Sequence, residues 1–145
     1  MGPSDSQYNQ QLGAIGNKMI RIYGIKEKLN PVKAQLSDII NQCIGEALAF
    51  PSNKRSHRFF PIDKEDYCYP EDRTDAYTVI EIAMMEGRSI EAKKQLIHLL
   101  FERIEDQVGI SPVDVEITIS EFPPCNWGFR GTTGDEANLK YKVNL

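Results

Sequence analysis

The chain has 145 residues, of which 41% are hydrophobic and 26% charged, with a formal net charge of −4. That is the length of one domain able to bury a core without staples. The acidic balance argues against a nucleic-acid partner, which would need a basic face, although it leaves room for a local basic pocket. Cys43, Cys68 and Cys125 are odd in number and form no CxxC or Cys/His cluster, so neither a disulfide framework nor a metal site is expected. No apolar run reaches the length of a membrane span, and no secretory pattern opens the chain. The expectation is a cytoplasmic protein with no cofactor, no metal and no membrane partner.

Met1 to Asn17 is polar and rich in Gly, Ser, Gln and Asn. Residues 1–18 are therefore expected to be a flexible leader or an added extension, ahead of a domain over residues 19–145. Met19 to Ile25 alternates as a strand. Asn30-Pro31 supplies an N-cap and a first-turn proline for a helix carrying Val32, Leu36, Ile39, Ile40, Cys43, Ile44, Ala47 and Leu48. Pro51 stops that helix near Phe50. A short strand is expected at His57 to Phe60, then a long loop over Ile62 to Asp75.

Tyr77 to Met85 is almost continuously apolar and suits an interior strand. Ser89 caps a second helix whose core stripe is read as Ile97, Leu100, Phe101, Ile104 and Val108, with Gly109 as its stop. Val113, Val115, Ile117 and Ile119 alternate with polar residues as a half-buried strand. Pro123 to Gly134 reads as a loop, and Leu139, Tyr141 and Val143 as a last strand. The class is α/β (α+β): two consecutive βαβ units and a final strand. Two architectures fit the pattern, a monomeric ferredoxin-like sandwich and a pair of βαβ units that packs three subunits around an axis.

Several runs, in their order and spacing, carry a resemblance. They are Arg73-Thr74-Asp75, Gly87-Arg88-Ser89-Ile90-Glu91-Ala92-Lys93-Lys94, Gly109-Ile110-Ser111-Pro112-Val113-Asp114-Val115, Glu121, and Asn126-Trp127-Gly128-Phe129-Arg130-Gly131. Over Met19 to about Leu145 the chain resembles the tautomerase superfamily, in the branch around malonate semialdehyde decarboxylase and its uncharacterised relatives. The resemblance implies the trimeric architecture, with self-association as a homotrimer. It also implies an apolar pocket near a subunit boundary, a small carboxylate ligand and a chain-terminal proline as the proton carrier. Aligned with that family, Lys18 stands where the proline would be and Lys54 where a decarboxylase-type acid would be. With a start at Met1 the backbone nitrogen of Lys18 is tied up in an amide, and with a start at Met19 the bulky Ile20 keeps the methionine in place, so in neither case is a chain-terminal proline expected.

Arg88, between the interior strand and a helix N-terminus, is expected to hold the anion. Arg73 is a second anion contact, with pairing to Asp72 or Asp75 as the competing reading. Trp127 and Phe129 line the pocket or seal a subunit interface, and Arg130 enters it. A lysine amine desolvated in an apolar pocket loses its proton readily, which makes Lys18 a candidate base or imine former. His57 and His98 read as structural, and Lys54, Arg55, His57 and Arg58 as a solvated loop. Two functions remain open. One is an isomerase of small enol or keto carboxylates. The other is a non-enzymatic trimeric binding or scaffold module that keeps the fold and the anion pocket.

Overall fold

The computed structural model describes residues 18–137. The leader before Lys18 and the strand expected through Leu139, Tyr141 and Val143 lie outside the described residues. β1 (Lys18–Ile25) buries alternate side chains, as the spacing of Ile20 and Ile22 requires. A four-residue helical turn, α1 (Lys26–Leu29), follows at once. The long helix α2 (Lys33–Leu48) then starts after Val32, not at Asn30. Asn30 instead closes α1 by donating its N–H to the Lys26 carbonyl. The expected cap is thus corrected: a helical turn already formed before the proline takes Asn30 at its end. Ala49 adopts the left-handed conformation, φ 60°, and terminates α2 just ahead of Pro51.

β2 (His57–Ile62) runs parallel to β1, with His57 opposite Ile20. β3 (Thr78–Met85) lies antiparallel on the other side of β1, with Lys18 opposite Met84. α3 (Ile90–Val108) begins as expected, with the Ser89 hydroxyl accepting the Ala92 N–H at 3.1 Å, and ends at Gly109, φ 78°. β4 (Val115–Phe122) pairs parallel with β3. The sheet order is β2-β1-β3-β4. A ferredoxin-like sheet would insert a strand of the other unit between the two strands of each βαβ unit. Here both pairs are adjacent, which excludes that alternative.

Both helices cover one face of the sheet, packing Leu36, Ile40 and Ile44 of α2 and Leu96, Leu100 and Ile104 of α3 on Ile20, Ile22, Ile80 and Ile82. The α3 stripe therefore centres on Leu96, which the sequence reading passed over, while Ile97, Phe101 and Val108 flank it half-buried. Val113 is not in a strand: it is 57% exposed in a 3-10 turn, Pro112–Asp114. The loop after β4 also holds more structure than expected, a 3-10 turn and a hairpin of β5 (Gly128–Phe129) and β6 (Thr132–Thr133). No helix among the described residues is long and apolar enough to cross a membrane.

Asp114 is buried in that turn and ties down the long loop before β3. Its carboxylate accepts the Thr74 N–H at 2.7 Å and the Thr74 hydroxyl at 2.6 Å. Both donors lose their partner in Asp114→Ala, and charge-assisted bonds of this kind contribute about 1.5–3 kcal/mol each. We expect urea unfolding of Asp114→Ala to show about 2–3 kcal/mol lost with an unchanged m-value. A loss below about 0.5 kcal/mol would mean that the loop is held elsewhere.

Candidate functional site

The antiparallel centre of the sheet decides which segments meet. Because β1 and β3 oppose, the start of β1 lies beside the end of β3, and the end of β4 lies next to that. The α2-to-β2 loop closes the same end, where the Ile20 N–H donates to the Ser56 carbonyl at 3.1 Å. Lys18, Phe50, the basic run Lys54 to Arg58, Arg88 and the loop carrying Trp127 are therefore gathered at one end of the sheet.

Lys18 points to the helix-covered side with Ile20 and is only 3% exposed. Its ammonium donates to the Lys54 carbonyl and sits 4.7 Å from the centre of the Phe50 ring. The Arg88 guanidinium, 5% exposed, lies 4.2 Å from the same ring centre. One aromatic ring thus serves two buried cations. Burial first, and then the Arg88 and Arg55 charges, pull the Lys18 amine down from the usual lysine range to about 8. His57, in β2, is held neutral for the same reasons: burial, Arg55 and Lys18 push it down to about 4, against a smaller upward pull from Asp38. Its Nδ1 lies 2.7 Å from the Ser37 hydroxyl.

Beside Lys18 opens a cleft of about 370 Å³. Lys18, Lys54, Arg55 and Arg58 line it together with Met19, Asn53, Ser56, Trp127 and Gly128, and no carboxylate among the described residues contributes to its wall. Arg55 is steadied by Asp38, 2.7 Å away, and Trp127 is buried against Phe122 with ring centres 5.7 Å apart. A cleft of this size and charge takes a small anionic molecule, with the aromatic wall excluding water from one side.

Of the residues singled out from sequence, the fold brings Lys18 and Trp127 to the cleft and sets Arg88 next to Lys18 across Phe50 without lining the cleft itself. Phe129 packs with Ala83, Met85 and Trp127 and borders a separate shallow concavity on the hairpin side. Arg130 is exposed at the hairpin tip, where its φ of 53° and the 77° of Gly131 make the two-residue turn. Arg73 lies before the start of β3, at the opposite end of that strand, paired with Asp72 at 2.5 Å. Phe50, Arg55 and Arg58 were missed: the basic run read as a solvated loop forms the cleft's cationic wall. Its position after the first helix, closing back towards the start of β1, was the available signal.

A family model described as tautomerase enzyme matches residues 54–130. The chain is 36% identical over 56 residues to a 2-hydroxymuconate tautomerase of Comamonas testosteroni, a stretch covering 39% of this chain and 89% of the relative. Among solved structures it is similar to malonate semialdehyde decarboxylase, with a TM-score of 0.72 and 20% identity over 88% of this chain and 98% of the other. It is also similar to a fused 4-OT described as an asymmetric trimer, with a TM-score of 0.73 and 20% identity over 81% and 97% of the two chains. The family match runs from Lys54 in the cleft wall to Arg130, over more than half of the chain, and the chain belongs to the tautomerase family.

Proposed function

We propose that the protein is a tautomerase-type isomerase of a small enol or keto carboxylate, with the Lys18 side chain as its proton carrier. The observation that carries this reading is the buried Lys18 amine at the edge of a cleft walled by cations. An amine titrating at about 8 has both protonation states populated near neutral pH, as a group that must take and return a proton requires. The neutral amine takes the hydroxyl proton of the enol and hands it to the neighbouring carbon, leaving the ketone and the amine as it began. Arg55 and Arg58 hold the carboxylate, and the surrounding positive charge stabilises the enolate between the two transfers. Arg88, one ring away from Lys18, acts mainly by keeping the amine from holding its proton.

Self-association as a trimer belongs to the same proposal. The sheet face away from the helices leaves Met19, Arg21, Tyr23 and Glu81 only half-buried, and the fused 4-OT neighbour is a trimer. Ketonisation of phenylenolpyruvate, followed by absorbance, tests the reaction, and solution mass tests the assembly. We expect turnover that falls at least tenfold in Lys18→Ala, from a particle of three chains; general acid–base groups commonly contribute far more than that. An absence of turnover across a panel of enol carboxylates, with a small carboxylate still bound, would favour the binding or scaffold module instead.

A further inference from the structure

We infer that Lys18 also captures carbonyl compounds covalently, forming an imine between its Nζ and the keto carbon of a small α-keto acid. The inference rests on the proposed placement of the carboxylate at Arg55 and Arg58, and extends it from proton transfer to bond formation. Three observations carry it. Lys18 is nearly inaccessible from bulk solvent, yet it is one of the residues that line an open cleft. Among the described residues its amine makes none of the ion pairs found and donates to the Lys54 carbonyl alone, so a lone pair remains for attack once the proton is gone. The Phe50 ring stands 4.7 Å from the nitrogen, where it steadies the cationic adduct. The depressed basicity of the amine adds to this geometry by supplying the nucleophilic form near neutral pH.

The step balances without any redox partner. The Nζ lone pair attacks the keto carbon while the C=O π pair moves to oxygen, which takes a proton and gives a carbinolamine. Loss of that hydroxyl as water, with both nitrogen protons leaving during the sequence, gives the C=N bond. Protonated, this iminium withdraws electrons from the adjacent C–H bonds more strongly than the ketone does, so the site gains a second route to proton exchange beside the carbonyl.

Full-length protein incubated with pyruvate and sodium cyanoborohydride tests the proposal. We expect an adduct on one residue, heavier by pyruvate less water plus two hydrogens, which peptide mapping assigns to Lys18 and which Lys18→Arg loses. Modification scattered over surface lysines, or none at Lys18, overturns it. The phenylenolpyruvate assay on the same samples separates the two readings. Trapping that fails while ketonisation still depends on Lys18 removes the imine and leaves the isomerase. A Lys18 adduct without ketonisation upholds the imine and removes the isomerase.

Discussion

Lys18→Met is expected to lose about a thousandfold in turnover and to fold more stably than the parent, since a positioned acid–base group is commonly worth 10²–10⁴ in rate. The stability half follows from the sign of the shift. Folding lowers the lysine from 10.5 to about 8, so the folded state disfavours the charged form. Below pH 8 both states carry the proton and the full penalty applies, of order 3 kcal/mol at about 1.4 kcal/mol per pH unit. Between pH 8 and 10.5 the folded protein sheds the proton first, so the penalty fades as pH rises. Methionine has similar reach and no charge, while its lost bond to the Lys54 carbonyl gives back about 1 kcal/mol. The net gain near pH 7 is about 2 kcal/mol, or several degrees in Tm. Paired thermal melts from pH 6 to 10 read it out: the gap should be widest below pH 8 and should close above it. A variant less stable than the parent at pH 7 would show that the lysine is not held at a cost.

That trade of stability for a reactive group was visible in the sequence only as an anomaly. A strand-initiating lysine looks the same whether it reaches water or is folded under, and what decides its burial is Phe50, which lies 32 residues further along the chain. The two βαβ units, in contrast, were readable from local pattern. Ser89 and Gly109 bracket α3, Pro51 limits α2, and the apolar run to Met85 marks an inner strand. Local pattern failed where a neighbour altered the meaning of a residue. Asn30 could cap either of two abutting helices, and Val113 continues the alternation of β4 although Pro112 and the buried Asp114 bend it into a 3-10 turn.

The strand order was not legible from periodicity, because alternation says which faces are apolar and nothing about which strands pair. For the same reason Arg73 could be read as a second anion contact beside Arg88, although the two arginines bracket one strand. The strand length separates them: eight residues of β3 at about 3.3 Å each put them at opposite ends of the sheet. The role of the basic run from Lys54 to Arg58 was not legible, because an exposed loop and a cleft wall have the same composition. Only the parallel pairing of β2 with β1 brings that run beside Lys18.

The second large effect concerns Arg88, whose two possible duties leave different traces. If its charge mainly keeps the amine poorly basic, Arg88→Leu lets Lys18 move back up towards 10.5, by about one pH unit for a close like charge removed from a partly buried site. For the parent, kcat/KM should rise with pH and reach half its plateau at about 8, because the neutral amine is the form that takes the proton. For Arg88→Leu the same curve should shift to higher pH, costing roughly tenfold at pH 7 and recovering to near the parent plateau in the alkaline limb. An arginine that held the substrate carboxylate directly would behave otherwise, with KM raised at every pH and no alkaline recovery. The geometry favours the first outcome, since Arg88 shares the Phe50 ring with Lys18 while Arg55 and Arg58 line the cleft. A KM rise independent of pH would reassign the anion to Arg88 and leave burial alone responsible for the weak basicity of Lys18.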